Sequence, residues 1–430
     1  MIKVRPWKLR CVDCATEYDA MKVRYRCDCG GTLDVIHDRA PVSLDTFEQR
    51  KLSRASIDRS GVWRYRELVL PLQDHEIVTR CEGDTNLYPS DIIDRYCGTE
   101  GFLLKHEGEN PTGSFKDRGM TVAVSVAKTM GASAIACAST GNTSAALASY
   151  AAVSGLGSFV FIPGGKIAYG KLSQALAYGA TTIQIDGNFD DAMRLVQQVC
   201  AELGVYLVNS INPYRIEGQK AIGFELLDQL GWDVPDWIAL PGGNLGNSSA
   251  IAKGLVELHE LGLLDRLPKI AIVQARGANP LYRSFSTGDP IQPMPEAETI
   301  ATAIRIGAPV SWAKCLRGIS KCGGVVTDAS DNEIMDAKAV VDAAGIGAEP
   351  ASCATVAGVR RLVSEGVIKK HERVCGILTG HLLKDPDVVV NYHTQGIEGI
   401  ESRHANAPVK VGASLEEVLD VIRAGLDKQA

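Results

Sequence analysis

A chain of 430 residues and 46.0 kDa has room for about two or three folding units of roughly 150 residues each, which excludes a short peptide module. Hydrophobic residues make up 45% and charged ones 22%, the balance of a packed globular protein, so disorder and a collagen-like rod are excluded. Lys and Arg number 45 against 51 Asp and Glu, a formal charge of −6; no basic field draws this chain to nucleic acid or anionic lipid, and small polar substrates are expected instead.

Residues 1–10 lack the apolar segment of a secretory signal, and nowhere does an apolar run approach the roughly 20 residues of a membrane span, so a cytoplasmic protein is expected. Within residues 1–36 stand Cys11, Cys14, Cys27 and Cys29, two close pairs followed by Gly30 and Gly31. Four thiols so spaced can close a tetrahedral site, and zinc suits them because it takes four soft ligands. No His or carboxylate pattern leaves a coordination position open, so such a metal would be structural; four free thiols are the other reading. The remaining eight of the twelve cysteines, Cys137, Cys200 and Cys375 among them, are scattered singly through apolar segments and read as reduced core residues.

From about residue 100, short apolar or β-branched runs alternate with longer amphipathic ones, the pattern of a parallel sheet covered by helices. Strands are expected at 101–106, 133–137, 158–162, 181–185, 237–240, 270–274 and 373–378. A helix is expected from Asp191, with Ala192, Leu195, Val196 and Val199 on one face. A last helix is expected behind a capping box, Ser414 with Glu417, carrying Leu415, Val418, Leu419 and Ile422. The proline-bearing stretch 288–298 reads as a long functional loop.

Open α/β sheets bind ligands at the carboxyl ends of their strands, so the segments behind these runs carry the chemistry. The first, Gly113-Ser-Phe-Lys116, leads into a helix; a lysine there would have a lowered pKa, as an amine must to attack a carbonyl, although taken alone it reads more readily as a solvated surface charge. The second, Ser139-Thr-Gly-Asn142-Thr143, gathers hydroxyls and amides at a helix start, as an anion site or as an ordinary cap. The third, Gly242-Gly-Asn-Leu-Gly-Asn247, lets amides wrap a phosphate, yet it lacks the order and acidic partner of a nicotinamide dinucleotide site. The fourth, Thr379-Gly-His381, offers a hydroxyl that can reach a heterocyclic nitrogen or cap the core. The run 165–172 mimics a nucleotide phosphate loop, but Leu172 stands where a magnesium-binding hydroxyl is required, so ATP hydrolysis is not expected.

Taken together and in this order, these four segments resemble the threonine synthases, enzymes of fold type II that use pyridoxal 5′-phosphate. The resemblance runs from about residue 61 to 421 and is nearest to the long plant-like form, which Gly242-Gly-Asn-Leu-Gly246 and residues 251–285 resemble. It implies two open twisted α/β domains, like those of the tryptophan synthase β subunit, behind a Cys-rich extension of residues 1–36. Residues 37–118 and 212–430 would form the large cofactor domain and 119–211 a small mobile one. It further implies that Lys116 holds the cofactor through a carbon–nitrogen double bond, that Phe115 borders the ring, that Asn142 bonds its 3′-oxygen and that Thr379 faces the pyridine nitrogen. Gly243, Asn244, Leu245, Gly246 and Asn247 would cup the cofactor phosphate. Ser139, Thr140 and Thr143 would receive the substrate carboxylate, and Ser210, Arg215 and Asn244 the substrate phosphate, with Lys220 adding charge. The implied reaction converts O-phospho-L-homoserine and water to L-threonine and phosphate in a homodimer. Family members commonly carry glycine where Leu382 stands, and an acidic or amide residue where Ala308 stands. A hydroxyamino-acid dehydratase or a cysteate-synthase-like enzyme would keep the same cofactor, but Arg215 would have nothing to pair with in the dehydratase. A non-catalytic zinc-ribbon binding protein is the reading from a different class.

Overall fold

A computed structural model describes residues 5–39, 41–164 and 169–427. Three short strands open the chain: β1 (Trp7–Cys11), β2 (Glu17–Asp19) and β3 (Leu33–His37) form an antiparallel sheet in the order β2-β1-β3. The alternation along β1 explains its register. Trp7, Leu9 and Cys11 are buried while Lys8 and Arg10 face solvent, the period of two that a sheet with one covered face imposes.

Among the described residues ten further strands follow: β4 (Leu87–Pro89), β5 (Leu103–His106), β6 (Ala134–Ala138), β7 (Gly157–Pro163), β8 (Thr181–Ile185), β9 (Tyr206–Leu207), β10 (Trp237–Pro241), β11 (Lys269–Ala275), β12 (Val325–Ala329) and β13 (Val374–Leu378). They form two sheets. Six line up as β12-β11-β10-β13-β5-β4, parallel except for the antiparallel edge strand β4. Four line up as β8-β7-β6-β9, all parallel. Strands β6, β10 and β13 are buried along their whole length, as strands covered by helices on both faces must be.

Each strand expected from sequence is present, with ends shifted by up to two residues; β5 starts at Leu103 because Gly101, at φ +98, still belongs to the preceding turn. Strand β12 escapes the hydrophobic pattern because Thr327 and Asp328 are polar residues inside it. Asp328 is nonetheless buried, with Asn279 and Arg361 donating to it at 2.9 and 2.5 Å. The helix expected from Asp191 begins two residues earlier, at Phe189, because Asn188 caps it: its side chain accepts from the Asp190 and Asp191 amides while Asp191 returns a bond to the Asn188 amide. The last helix, Leu415–Asp427, starts where expected, but Glu417 accepts from the Gly412 amide, upstream of the box. The phosphate-loop mimic at 165–172 falls largely outside the described residues. Residues 288–301 form no helix or strand.

The order β10-β13-β5 is what builds a site. Adjacent strands of a sheet stand about 4.8 Å apart, so the segments leaving the carboxyl ends of these three parallel strands emerge side by side. Behind them, the Pro213–Gln229 helix packs between the Lys116–Thr129 and Gly246–Glu260 helices. The first contact is close enough to require glycine on both sides: a Cβ on Gly218 would collide with the Arg118 carbonyl, and one on Gly119 would stand 2.8 Å from the Arg215 carbonyl.

Candidate active site

Lys116 is the first residue of its helix, half-buried, with its Nζ 3.8 Å from the centre of the Phe115 ring. Burial, with the Arg215 cation adding to it, pulls its pKa down to about 7. A neutral amine is therefore available near pH 7, as carbonyl attack requires. The loop holding it is stapled to the segment behind β13. The Phe115 amide donates to the Thr379 carbonyl at 3.0 Å and the His381 amide to the Gly113 carbonyl at 3.0 Å. Asp117 fixes the other side, its carboxylate accepting from the Thr112 amide at 2.7 Å and the Thr112 hydroxyl at 2.5 Å.

Thr379 is 5% exposed, and its hydroxyl lies 3.0 Å from Ser352 Oγ, which also accepts from the Thr379 and Gly380 amides at 2.8 and 2.9 Å. Ser352 and Glu349 belong to the start of the Pro350–Ser364 helix and were not identified in the sequence. Glu349 accepts from Asn142 Nδ2 at 3.1 and 3.3 Å and fills the space that a side chain at Gly380 would need. Burial raises its pKa. Asn142 thus lies on the same cleft as Lys116 and Thr379, and the only sequence signal for Glu349 was the proline after it, a helix-start marker.

The glycine segment turns sharply at Leu245, whose φ of +62 marks a left-handed residue capping the Gly246–Glu260 helix. Asn244 is pinned between the two sheets' loops, donating to Ser210 Oγ and accepting from the Val310 amide, both at 2.6 Å. Gly243 approaches Ile304 closely; a Cβ would stand 3.0 Å from its Cα. Several buried polar atoms here lack a partner: both side-chain atoms of Asn247, Ser248 Oγ, Gln219 Oε1, Ser114 Oγ and Arg215 Nε. Buried polar groups normally find partners; of these atoms Asn247 Nδ2 and Ser248 Oγ are donors in the first turn of the Gly246–Glu260 helix, which fits a cofactor phosphate held by that turn. The residues present therefore suit pyridoxal 5′-phosphate, with an amine, a hydroxyl and a glycine-bearing helix start behind the three neighbouring strands β5, β13 and β10.

Arg215 is 3% exposed, donates to the Val208 carbonyl at 3.2 Å and has no carboxylate partner among the described residues; burial lowers its pKa to about 10. Lys220, by contrast, is spent elsewhere, pairing with Glu217 and Glu257 at 2.5 and 2.7 Å. Ser139 and Gly141 lead into the Asn142–Ser154 helix, where Ser139 Oγ accepts from the Gly141 amide at 3.2 Å and no side chain caps the helix. Thr143 lies in the first turn of that helix, partly exposed, and Thr140 is open to solvent. Leu382, where family members commonly carry glycine, is accommodated because Gly347 lies opposite and leaves the space its side chain occupies.

A second cluster stands apart. The sulfurs of Cys11, Cys14, Cys27 and Cys29 all lie within 4.8 Å of one another, Cys11 and Cys29 3.6 Å apart and Cys14 and Cys27 3.4 Å apart. Sulfurs around a tetrahedral zinc at about 2.3 Å stand roughly 3.8 Å apart. The Asp13 and Cys14 amides point at Cys11 Sγ at 3.4 and 3.5 Å, and Gly31 is required, since a Cβ there would stand 2.8 Å from the same sulfur. The donor set and its spacing fit zinc.

Residues 78–380 match the family of pyridoxal-phosphate dependent enzymes. The chain is 47% identical to a threonine synthase of Methanocaldococcus jannaschii over 392 residues, covering 90% of this chain and 96% of that one. It is 49% identical to a threonine synthase of Methanosarcina acetivorans over 388 residues, 90% and 94% of the two. Threonine synthase 2, chloroplastic, of Arabidopsis thaliana is 39% identical over 422 residues, 94% and 82%. Among solved structures, maize serine racemase superposes with a TM-score of 0.62 at 19% identity over 91% of this chain and 99% of that one, a likeness of fold. With the family matched over residues 78–380 and these relatives along nine-tenths of its length, the chain belongs to the pyridoxal-phosphate dependent enzymes and, among them, to the threonine synthase family.

Proposed function

We propose that this protein converts O-phospho-L-homoserine and water to L-threonine and phosphate, with pyridoxal 5′-phosphate held at Lys116. The observation carrying the reading is the place of Lys116 behind β5, its loop bonded through Phe115 to Thr379 behind the neighbouring β13, with β10 and the glycine segment next in the sheet; burial lowers the pKa of its amine to about 7. When bound, the cofactor supplies an electron sink for the charge that develops as protons leave the substrate's carbon chain. The protein's own groups do the rest. The Lys116 amine takes the proton from Cα and returns it. Thr379, oriented by Ser352, offers a hydroxyl to the ring nitrogen, and a hydroxyl does not enforce a protonated ring. Asn142 bonds the 3′-oxygen beside the Phe115 ring, and the amides of Gly243, Asn244, Leu245, Gly246 and Asn247 cup the phosphate.

Ser139, Thr140 and Thr143 hold the substrate carboxylate. Arg215, Ser210 and Asn244 hold its phosphate, and the lack of a carboxylate partner for Arg215 among the described residues supports an anionic ligand there. This favours a phosphorylated substrate over serine or threonine. Residues 119–211 act as the small mobile domain against 37–118 and 212–430, excluding water until the addition step; the four strands β6–β9 drawn from 134–207 support that division. Cys11, Cys14, Cys27 and Cys29 hold one structural zinc. A homodimer in the cytoplasm completes the reading.

The test is phosphate release from O-phosphohomoserine with threonine identified as the product, in the presence and absence of sulfite. Threonine formation supports the reading; a sulfonated product, or release of ammonia from serine or threonine instead, overturns it.

A further inference from the structure

The segment behind β13 carries a cation that the reading above leaves unused. Lys384 reaches across the cleft, and its Nζ donates to the Gln174 side-chain oxygen in the Tyr169–Ala177 helix. Its stem runs over Gly113, where a Cβ would stand 2.9 Å from Lys384 Cε. Among the described residues no carboxylate stands within ion-pair distance of this amine. Burial lowers its pKa, and the carboxylates of Glu349, Asp117 and Asp385 act more weakly in the opposite sense.

Lys384 borders a cavity of about 250 Å³ whose walls include Thr112, Gly113, Gly141, Asn142 and His381. One wall is therefore the start of the Asn142–Ser154 helix, where Gly141 leaves the first amides without a side-chain cap. Ser210, Arg215 and Asn244 are not in that lining. Lys384 thus shares this cavity with a helix N-terminus, while Arg215 and Asn244 stand outside its lining.

We propose that Lys384 is a substrate-binding residue that pairs with the α-carboxylate of the amino-acid substrate, exchanging its bond to Gln174 for one to that carboxylate. The exchange is favourable in kind, since a neutral amide oxygen gives way to a charged acceptor and the bond becomes charge-assisted. It also ties ligand entry to the small lobe, because Gln174 is released as Lys384 turns inward. The inference rests on the proposed function and concerns only which group reads the carboxylate.

The experiment uses the holoenzyme and two probes: L-2-aminobutyrate, which carries the α-carboxylate and no phosphate, followed by the change in cofactor absorption, and inorganic phosphate, followed as a competitive inhibitor. Lys384→Gln is expected to weaken aminobutyrate binding roughly ten-fold or more and to leave phosphate inhibition within about two-fold, whereas Lys384→Arg restores most of the affinity. Lys384→Met gives the same reading should the glutamine variant not fold. Aminobutyrate binding unchanged in both neutral variants, or weakening confined to the phosphate arm, overturns the assignment. A wild-type protein that binds aminobutyrate with a spectral change while the variants match it sinks this inference alone; a wild-type protein that makes no threonine sinks the function beneath it.

Discussion

The backbone of Phe115 is tied to that of Thr379 by a 3.0 Å hydrogen bond, so the residue before the cleft lysine is positioned by the residue that carries the cleft hydroxyl. Two strand-end segments, from β5 and from β13, therefore act as one unit, and Ser352 is its fixing point, bonding the Thr379 hydroxyl and two successive amides. Ser352→Ala leaves both amides buried and unpaired, at about 1–3 kcal/mol for an unsatisfied group. The expected outcome is a lower unfolding midpoint, together with a shifted cofactor absorption band and a kcat reduced roughly ten-fold by misplacement of the hydroxyl. A variant with wild-type absorption and kcat would separate Ser352 from the site.

The low pKa of Lys116 fixes a pH dependence. In the cofactor-free protein the amine is mostly neutral above about pH 7, whereas an exposed lysine stays charged until about pH 10.4. The rate of cofactor reattachment should therefore rise from pH 6 and level off near pH 8. A rate that keeps climbing toward pH 10 contradicts the buried, neutral amine. The linked stability has a definite sign. The unfolded chain binds the proton more tightly between the folded and unfolded pKa values, so the lysine's contribution to folding stability grows as pH rises through that window and is lost as pH falls to about 7. Lys116→Met, compared with wild type by denaturant unfolding of both cofactor-free proteins from pH 7 to 10, should remove that slope.

Arg215 separates binding from folding. It is buried without a carboxylate partner among the described residues, so removing it relieves an uncompensated charge, unlike the removal of one half of a pair. Arg215→Ala should leave the unfolding midpoint unchanged or raise it, while KM for O-phosphohomoserine rises roughly a hundred-fold with the lost charge-assisted contacts. Steady-state kinetics beside a thermal melt decide the matter. A variant that is destabilised but keeps its KM would make Arg215 a structural residue.

The strand-end segments were legible in the sequence because each combines a strand-like run with residues of unusual chemistry, as in Gly113-Ser-Phe-Lys116 and Thr379-Gly-His381. Their order in the sheet was not, since nothing in the sequence near β13 says that it inserts between β10 and β5. Ser352, Glu349 and Lys384 were missed for a related reason: each acts through a partner distant in the chain, Thr379, Asn142 and Gln174 respectively. Lys220 shows the converse. Its place one turn beyond Arg215 suggested the same anion, yet a helix presents different faces at positions 215 and 220, and its amine meets Glu217 and Glu257.

The four-cysteine cluster predicts one zinc per chain by elemental analysis, reduced in proportion by Cys11→Ser. Removing the metal should unfold the β2-β1-β3 sheet first, because Cys11 ends β1 and the knuckle at Gly31 leads into β3. A chelator is thus expected to lower the melting temperature while leaving kcat of the surviving enzyme unchanged. Purified protein without zinc and indifferent to chelator would assign the thiols to packing alone.

Beneath the Lys116 helix lies a wholly buried network of four charges. Arg118 donates to Glu107 at 2.6 Å through both Nε and Nη2 and to Glu225 at 2.8 Å, and Lys105 reaches the same Glu225 at 2.5 Å. The cations also hold Glu225 far below the usual carboxylate range despite its burial. Two positive and two negative groups cancel, and each is bonded, which is the condition for burying charge without a large penalty. Arg118→Met breaks the balance by leaving Glu107 without its cation, so it should cost about 3–5 kcal/mol at pH 7, read as a fall in the urea midpoint. Glu107→Gln in the same background should recover part of the loss, because it removes the uncompensated charge and keeps a hydrogen-bonding group for Asn110, which donates to Glu107 Oε2 at 2.9 Å. A double variant no more stable than Arg118→Met would show that the arginine acts by filling space beneath the helix and not by balancing charge.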